Sequence, residues 1–193
     1  MATHLTQLEF DALASGYAKD PCESWSIGSQ CYIEPKYQAI EKEHVFAKSW
    51  QFVCHEEALQ NTGDYVSQEV AGQPILVVRN AEGALQAFYN VCKHRGHLLV
   101  QGQGNTDKIV CPYHSWTYDL KGQLLAAPRS KLVHNFNTQE ICLDQIQVEM
   151  FCHLVFVNLD ASADSLASQT GDLATKICLL YTSPSPRDRT RSR

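Results

Sequence analysis

Apolar residues fall in short runs through the middle of this chain, and Gly, Asn, Asp and Pro separate one run from the next. Many runs alternate apolar and polar positions and are rich in Val, Ile, Tyr and Phe, which is typical of strands. The predicted strands span residues 51–55, 65–70, 74–79, 85–90, 108–111, 115–119, 123–126, 147–150 and 154–158. The pattern therefore predicts a mainly β fold class, with a small antiparallel β domain over residues 51–160.

Two polar segments inside this region predict hairpin turns. Asn80 and Gly83 bracket the first segment, and Asp119 and Gly122 bracket the second. Glycine adopts positive φ without steric cost, and Asn or Asp side chains accept hydrogen bonds from the turn backbone. Each turn is therefore expected to join two neighbouring antiparallel strands.

The first fifty residues follow a helical period instead. A weakly amphipathic stretch at 5–17 predicts a short helix, and residues 34–50 predict a second helix with Pro35 at its start. The second helix has one apolar stripe at helical spacing, formed by Tyr37, Ile40, His44 and Ala47. We predict an N-terminal helical extension over residues 1–50, with the second helix packed on the β domain.

The chain changes character again after the β domain. Residues 161–177 are rich in Ala, Ser and Asp, and they predict a linker or the start of a further domain. Residues 178–193 contain two Ser-Pro pairs and alternating arginines without a hydrophobic period, which predicts disorder. This tail resembles translated adaptor or out-of-frame sequence, so we expect it to have no native function.

Composition narrows the classes of function. The chain has 193 residues, of which 44% are hydrophobic, and a net charge of −5, which disfavours binding to nucleic acid. An apolar run of 18 or more residues and a signal-peptide pattern are both absent, so we predict a cytoplasmic protein that does not bind a membrane. In that compartment the eight cysteines are expected to be reduced.

Two short segments combine cysteine and histidine in the same way. The first has the pattern C-x-H at Cys92 and His94, and sixteen residues later the second has C-x-x-H at Cys111 and His114. A Rieske [2Fe–2S] cluster needs this mixture, because two cysteines hold one iron and two histidines hold the other. The four residues are therefore the candidate metal and cofactor ligands, and the predicted chemistry is one-electron transfer.

A structural Cys2His2 zinc site is the alternative for these four residues. Such sites usually place cysteine beside cysteine and histidine beside histidine, whereas each segment here has one of each. Gly96, which we expect to let backbone amides approach the sulfurs, and Pro112, which stiffens the second segment, also favour the Rieske site. Iron content and the visible spectrum distinguish the two.

The residues around these ligands carry a family resemblance. The runs at 90–96, 111–119 and 122–124 resemble the N-terminal part of Rieske non-haem iron oxygenase α (large) subunits, a family that includes ring-hydroxylating dioxygenases and choline- and carnitine-type monooxygenases. The resemblance implies that Cys92 and Cys111 bind the outer iron and that His94 and His114 bind the inner iron. It covers about residues 30–160.

The same resemblance implies the rest of the system. An α subunit of this family continues into a catalytic domain that holds mononuclear Fe(II) on two histidines and a carboxylate. His134 and His153, the histidines after the second segment, do not form such a group, so no catalytic residue is assigned and the chain is expected to be a truncated fragment, inactive as an oxygenase. The expected partners are an NAD(P)H-dependent flavin/iron–sulfur reductase or a ferredoxin, and the intact protein is expected to be a homotrimer.

Neighbouring residues refine the predicted cluster. Respiratory Rieske proteins have disulfide-bonded cysteines at the positions of His97 and Tyr113 and a serine at the position of Trp116. Because these are absent here, the resemblance implies a reduction potential near the low end of the Rieske range, about −150 mV. Tyr118 is expected to donate one hydrogen bond to the cluster, and Trp116 and Tyr113 are expected to exclude water.

A stand-alone Rieske ferredoxin is the competing hypothesis, with similar ligand loops and no active site. Such carriers have about 100 residues and begin close to the β domain, so the extension over residues 1–50 favours the oxygenase. An acidic face is able to dock a basic redox partner, although acidic surfaces more often serve only to keep a protein soluble. Substrate, mono- or dioxygenation and the identity of the reductase are left open by the sequence.

Overall fold

The computed structural model describes residues 4–130 and 133–182, and the side chains of these residues as far as Ile177. Its α-helices are α1 (Gln7–Ala14), α2 (Gln30–Ile33), α3 (Pro35–His44), α4 (Leu166–Thr170) and α5 (Leu173–Thr182). Its strands are β1 (Gln51–His55), β2 (Asp64–Val70), β3 (Gln73–Arg79), β4 (Leu85–Tyr89), β5 (Gln103–Asn105), β6 (Ile109–Val110), β7 (Thr117–Tyr118), β8 (Leu124–Ala126), β9 (Gln147–Phe151) and β10 (Leu154–Asn158).

The described strands form three small antiparallel sheets. Their orders are β1-β10-β9, β4-β3-β2-β5 and β6-β7-β8. The predicted mainly β, antiparallel fold class is therefore confirmed. Strand β3 is central to the second sheet, where it pairs with β2 on one side and β4 on the other.

Strand β3 separates two hydrophobic cores. Leu76 and Val78 point into one core, while Ile75 and Val77 point into the other, and all four side chains are fully buried. This alternation follows from the two-residue period of a strand. The first core also contains both candidate cysteines, so the ligand loops are anchored in the packed interior of the domain.

Nine observed strands overlap the nine predicted ones, and they differ at their ends by at most two residues. Strand β5, Gln103–Asn105, is the exception, because the sequence analysis placed no strand there. All three of its residues are exposed, and its pairing with β2 depends on backbone hydrogen bonds. A polar edge strand of this kind has no hydrophobic pattern to reveal it.

Both predicted turns are confirmed. Gly83 and Gly122 have φ values of 79° and 85°. The Asn80 side chain accepts hydrogen bonds from the backbone N–H groups of Glu82 and Ala84. Asp119 does the same for Lys121 and Gln123 in the second turn. The turn residues therefore act as their chemistry predicts.

The N-terminal extension is helical, but its helices are shorter than predicted and are not buried. Helix α3 ends at His44, and a 3-10 turn, Phe46–Lys48, takes up part of the remaining predicted length. The predicted stripe from Tyr37 to Ala47 is the half-buried side of this segment, so its period is correct, but no residue of α1, α2 or α3 is buried. The second helix therefore lies against the β domain through half-buried rather than buried residues, and residues of both line a shared cleft.

Helix α5 crosses the predicted boundary at residue 177. Its backbone remains helical to Thr182, so the prediction of disorder from residue 178 is wrong for 178–182. The physical reason is that residues 173–182 contain no Gly or Pro, and the first helix-breaking residue is Pro184. Residues 183–193, the rest of the predicted disordered tail, lie outside the described residues.

No helix within residues 4–130 and 133–182 combines the length and the apolar character needed to cross a membrane. Helix α4 is attached to the β domain, because Leu166 is buried and its backbone N–H donates to Glu149 of β9 at 2.9 Å.

Candidate metal centre

The two cysteine–histidine segments form loops with the same backbone hydrogen bonds. In the first loop, Cys92 N–H donates to the His97 carbonyl at 2.8 Å, and the Cys92 carbonyl accepts from Gly96 N–H at 2.9 Å. In the second loop, Cys111 makes the equivalent bonds to Trp116 at 2.8 Å and Ser115 at 3.0 Å. The loops are therefore matched turns, each of which begins at its cysteine.

The fourth residue after each cysteine has a left-handed backbone. Gly96 has a φ of 68°, and Ser115, its counterpart, has a φ of 57°. A Cβ on Gly96 would meet no described atom closer than Val91 Cγ1 at 4.0 Å. Gly96 supplies positive φ at low cost, and its expected role in letting backbone amides approach the sulfurs stays a prediction.

Asn90 holds the first loop in place, and the sequence analysis did not assign it a role. Its side chain is fully buried, and its Oδ1 accepts from the N–H groups of Leu99 and Val100. Its Nδ2 donates to Ser67 Oγ and to the Val100 carbonyl, each at 2.7 Å. The signal that could have revealed it is a polar residue directly after the apolar strand β4.

The structure brings the two candidate cysteines together in the first core. Both are 2% exposed, and both belong to the same cluster of buried side chains. Burial raises the pKa of the Cys111 thiol, while hydrogen bonds from the backbone N–H groups of Tyr113 and His114 act in the opposite direction. Two backbone donors therefore already point at this sulfur, which suits a metal-bound thiolate.

Tyr118 contacts the other sulfur. Its hydroxyl oxygen lies 3.3 Å from Cys92 Sγ and accepts a hydrogen bond from Lys93 N–H at 3.1 Å. Burial raises the pKa of Tyr118 above its usual value, and the nearby Cys92 thiol raises it further to a smaller extent. The hydroxyl therefore keeps its proton. Because Lys93 occupies a lone pair of the oxygen, the hydroxyl proton is free to point at the sulfur, as the sequence analysis expected.

The two candidate histidines lie side by side at the outer edge of the loops. The ring centroids of His94 and His114 are 4.7 Å apart, with an edge-to-face angle of 70°. Among the described residues, His114 Nδ1 is buried and has no hydrogen-bond partner. A buried nitrogen without a partner is costly unless it binds something else, and metal coordination satisfies it.

Aromatic rings cover these histidines. Trp116 is 8% exposed and stacks on His94 with a centroid distance of 4.8 Å and an angle of 6°. Tyr113 lies 3.8 Å from the His114 ring but is itself 54% exposed. Trp116 is therefore the buried cover, and Tyr113 is an outer cover that faces solvent.

The donor set fits a two-iron cluster in kind and in arrangement. Two buried sulfurs lie on the inner side of the loops, and two imidazoles lie on the outer side, which matches the division of ligands between two irons. Within residues 4–130 and 133–182, no group of three or more His, Cys, Asp or Glu side chains surrounds a single point. A [2Fe–2S] cluster does not need one, since each iron takes two protein ligands.

His134 and His153, the two histidines that follow the second loop, are not part of the cysteine–histidine site. His134 is exposed, and the structure places no metal-binding group around it within the described residues. His153 lies in the turn between β9 and β10, where its Nδ1 is 2.8 Å from a carboxylate oxygen of Glu56. It belongs to a surface ion pair rather than to the cysteine–histidine site.

A cavity of about 720 Å³ opens beside the two histidines. It is lined by His94 and His114, by Tyr113 and Trp116, and by Arg95 and Arg129, among others. Burial lowers the pKa of His114, and the nearby His94, Arg95 and Arg129 side chains lower it further. The histidine edge is therefore both accessible and electropositive.

Comparison with known protein families agrees with this site. Residues 49–137 match the family described as the Rieske [2Fe-2S] domain, and this span contains both ligand loops. The chain therefore carries a Rieske [2Fe–2S] domain, with the cofactor that this domain implies.

The relatives of the chain are α subunits of Rieske oxygenases. The carnitine monooxygenase oxygenase subunit of Escherichia coli strain K12 is 39% identical over 166 residues, which are 86% of this chain and 44% of that protein. The α subunit of 2-aminobenzenesulfonate 2,3-dioxygenase from an Alcaligenes species is 39% identical over 76% of this chain and 38% of that protein. The chain thus spans less than half the length of these relatives.

A solved structure shows the same relationship. A quaternary ammonium Rieske monooxygenase that oxidises carnitine superposes with a TM-score of 0.75 and 35% sequence identity, covering 80% of this chain and 42% of that one. The described residues therefore have the fold of the Rieske domain of a Rieske oxygenase subunit.

Proposed function

We propose that this chain is the electron-transfer part of a terminal oxygenase, and that Cys92, Cys111, His94 and His114 hold its cluster. The observation that carries the proposal is the placement of two buried thiols in one core and two adjacent imidazoles on matched loops. The 39% identity to a carnitine monooxygenase oxygenase subunit supports the oxygenase context.

The four candidate residues would be shared between the two irons of the cluster, two to each. Cys92 and Cys111 would hold one iron, and His94 and His114 would hold the other through ring nitrogens. A Rieske cluster, when bound, accepts and donates one electron at a time. Tyr118 and the N–H groups of residues 113 and 114 donate to the sulfurs and so stabilise the more negative, reduced state.

The side of the site at which electrons would cross is indicated by the solvent exposure of its ligands. The cysteine side is buried in the first core, whereas the histidine side borders the open cavity. The imidazole edge is therefore the less shielded side, where electrons would cross most directly. Trp116 keeps His94 in a fixed ring plane and limits the access of water.

The other components of the proposed system come from the family. An NAD(P)H-dependent flavin/iron–sulfur reductase or a ferredoxin supplies the electrons. The family resemblance implies a mononuclear Fe(II) site, held by residues outside the region matched here, which would supply O2 activation for the hydroxylation of a small organic substrate. It also implies that the intact protein is a homotrimer. One related structure is described in terms of inter-subunit electron transfer, which supports an assembly of this kind.

The matched region does not select the substrate. Two relatives at the same 39% identity act, by their names, on carnitine and on 2-aminobenzenesulfonate, which are chemically unlike. Similarity in the matched region therefore does not identify the substrate of this protein. The cytoplasmic location stays a prediction from the sequence.

Anaerobic reconstitution with iron and sulfide tests the proposal. The reconstituted chain should contain two irons, show a Rieske visible spectrum and electron paramagnetic resonance signal, and take up one electron per cluster from dithionite. It should not hydroxylate an organic substrate by itself. A colourless protein that binds one zinc ion would contradict the ligand assignment, and turnover of a substrate with O2 would contradict the division of labour.

A further inference from the structure

Lys93, the residue between the candidate ligands Cys92 and His94, is bonded through both its backbone and its side chain. Its N–H donates to the Tyr118 hydroxyl at 3.1 Å, and its ammonium lies 2.5 Å from a carboxylate oxygen of Asp144. Lys93 and Asp144 are 51 residues apart in the sequence. The ion pair therefore ties the first ligand loop to a distant segment of the domain.

Asp144 is a fixed anchor, because its segment is bonded to the rest of the domain. Its carbonyl accepts a hydrogen bond at 2.9 Å from the N–H of Tyr89, the last residue of β4. The preceding residue, Leu143, is buried in the first core and donates from its N–H to the Gly122 carbonyl at 2.9 Å. Asp144 thus binds the chain at Tyr89, before the first ligand loop, and again at Lys93, inside that loop.

The direction of the Tyr118 hydroxyl depends on the backbone of Lys93. The hydroxyl oxygen lies 3.3 Å from Cys92 Sγ, and Lys93 N–H donates to the same oxygen. While this donor occupies one lone pair of the oxygen, the hydroxyl proton is free to point at the sulfur. A shift of the peptide group before Lys93 would remove the donor and let the hydroxyl turn away. The position of this one backbone N–H therefore affects the electron density on the sulfur.

The Lys93–Asp144 pair is too exposed to hold the fold together. The side chains are 32% and 64% exposed, and exposed ion pairs contribute little to the free energy of unfolding. The pair also has no net charge, so that neutral replacements of both residues remove the tether and leave the total charge near the site unchanged. Its effect on the site can therefore be measured apart from its effect on stability.

We propose that Asp144, acting through Lys93, is a positioning residue for the Tyr118 hydroxyl. It keeps this hydroxyl directed at the Cys92 sulfur and so raises the reduction potential of the site. This rests on the proposed electron-transfer function, in which Cys92 is a ligand. A hydrogen bond to a ligand sulfur stabilises the reduced state, so an ion pair outside the ligand set contributes to the potential.

A charge-neutral pair of substitutions tests the tether. Lys93→Met with Asp144→Asn removes both charges and keeps the backbone N–H at residue 93 and side chains of similar size. We expect this double variant of the reconstituted full chain to keep the Rieske visible spectrum. Its reduction potential should be lower, by an amount that corresponds to a roughly two- to threefold smaller equilibrium constant for one-electron reduction. A redox titration monitored by electron paramagnetic resonance measures the potential.

The Tyr118→Phe background shows whether the effect passes through the hydroxyl. There the same double substitution should leave the potential unchanged, because the donor that it would misdirect is already absent. A fall of equal size in both backgrounds would mean that the ion pair acts through its electric field or through the general fold, and it would overturn the positioning role.

Lys121→Met with Glu82→Gln is the matched control. These two charges are 2.6 Å apart and are also exposed, but the pair joins the two hairpin turns, and the described residues of the ligand loops make no hydrogen bond or ion pair with either side chain. The control should therefore keep the potential of the unsubstituted chain. A fall as large as that of the Lys93–Asp144 variant would contradict a specific tether.

The spectrum separates this inference from the proposed function. An unsubstituted chain without a Rieske spectrum contradicts the proposed function, whereas a normal spectrum with an unchanged potential in the double variant contradicts the positioning role alone. If the double variant fails to hold a cluster, Asp144→Asn takes its place, since Asp144 lies outside both ligand loops. The change in potential that Asp144→Asn causes should then be more negative with Tyr118 present than in Tyr118→Phe, and equal changes would overturn the proposal.

Discussion

Tyr118 is the residue through which the protein adjusts the electron density of the site most directly. Its hydroxyl contacts Cys92 Sγ at 3.3 Å, and burial keeps it protonated. In Tyr118→Phe the sulfur loses this donor, so the reduced state loses stabilisation. We expect the reduction potential to fall by roughly 20–60 mV, the equivalent of one net hydrogen bond for a one-electron couple. A redox titration monitored by electron paramagnetic resonance measures it.

Tyr89→Phe is the control for that measurement, because Tyr89 lies in β4 and makes no described contact with either cysteine. Its potential should equal that of the unsubstituted chain. An unchanged or higher potential in Tyr118→Phe would show that the hydroxyl does not donate to the sulfur.

The four proposed ligands can be tested one side chain at a time. His94→Ala and Cys111→Ala each remove a donor to one iron, and we expect either substitution to abolish the Rieske visible spectrum. His134→Ala should leave the spectrum intact, since His134 is exposed and stands apart from the two loops. Spectra and iron analysis of the reconstituted variants give the answer, and loss of the spectrum in His134→Ala would mean that the ligands are wrongly chosen.

The glycines of the two confirmed hairpin turns allow the backbone cost of a substitution to be separated from its packing cost. Gly83 and Gly122 both have positive φ, but a Cβ on Gly83 would meet open space, whereas a Cβ on Gly122 would lie 2.6 Å from Phe88 Cε1 in the first core. Gly83→Ala therefore incurs only the left-handed backbone cost of about 1 kcal/mol. Gly122→Ala should lower the free energy of unfolding by about 1–3 kcal/mol more, because the added methyl group overpacks the core. Urea unfolding measures both, and equal losses would contradict this packing.

The contribution of Asp64, at the edge between β2 and β5, to the stability of the fold should depend on pH. Hydrogen bonds from the Asn105 side chain, and then from the Asn61 backbone, lower the pKa of Asp64. A carboxyl with a lowered pKa in the folded state stabilises the fold above its unfolded pKa near 4, and that contribution disappears as the pH falls through the folded pKa. The stability difference between the unsubstituted chain and Asp64→Asn should therefore be largest at neutral pH and shrink towards pH 3. Denaturant unfolding at both pH values detects this, and a difference that grows in acid would contradict it.

Hydrophobic pattern and turn chemistry were enough to predict most strands and both turns, because these depend on neighbouring residues in the chain. Strand β5 could not be predicted, since its exposed Gln-Gly-Asn segment is a strand only because β2 lies beside it. The meeting of the four candidate side chains at one place could be predicted from their residue types and spacing. The role of Asn90 could not, because it depends on buried partners distant in sequence.

At the scale of the whole molecule, the N-terminal extension and the β domain contribute differently to stability. Helices α1 and α2 have no buried residue, and large apolar side chains such as Trp25 and Tyr32 are 81% and 73% exposed. Deletion of residues 1–30 should therefore leave the Rieske spectrum unchanged and alter the free energy of unfolding of the β domain by less than about 1 kcal/mol. Urea unfolding of the reconstituted protein checks this, and failure of the shortened chain to hold iron would contradict it.

The matched backbone of the two ligand loops bears on how iron enters the protein. Under the proposed assignment each hairpin tip offers one sulfur and one nitrogen, and these go to different irons. Neither tip alone supplies both protein ligands of one iron, so the complete cluster can be held only when the two hairpins lie side by side.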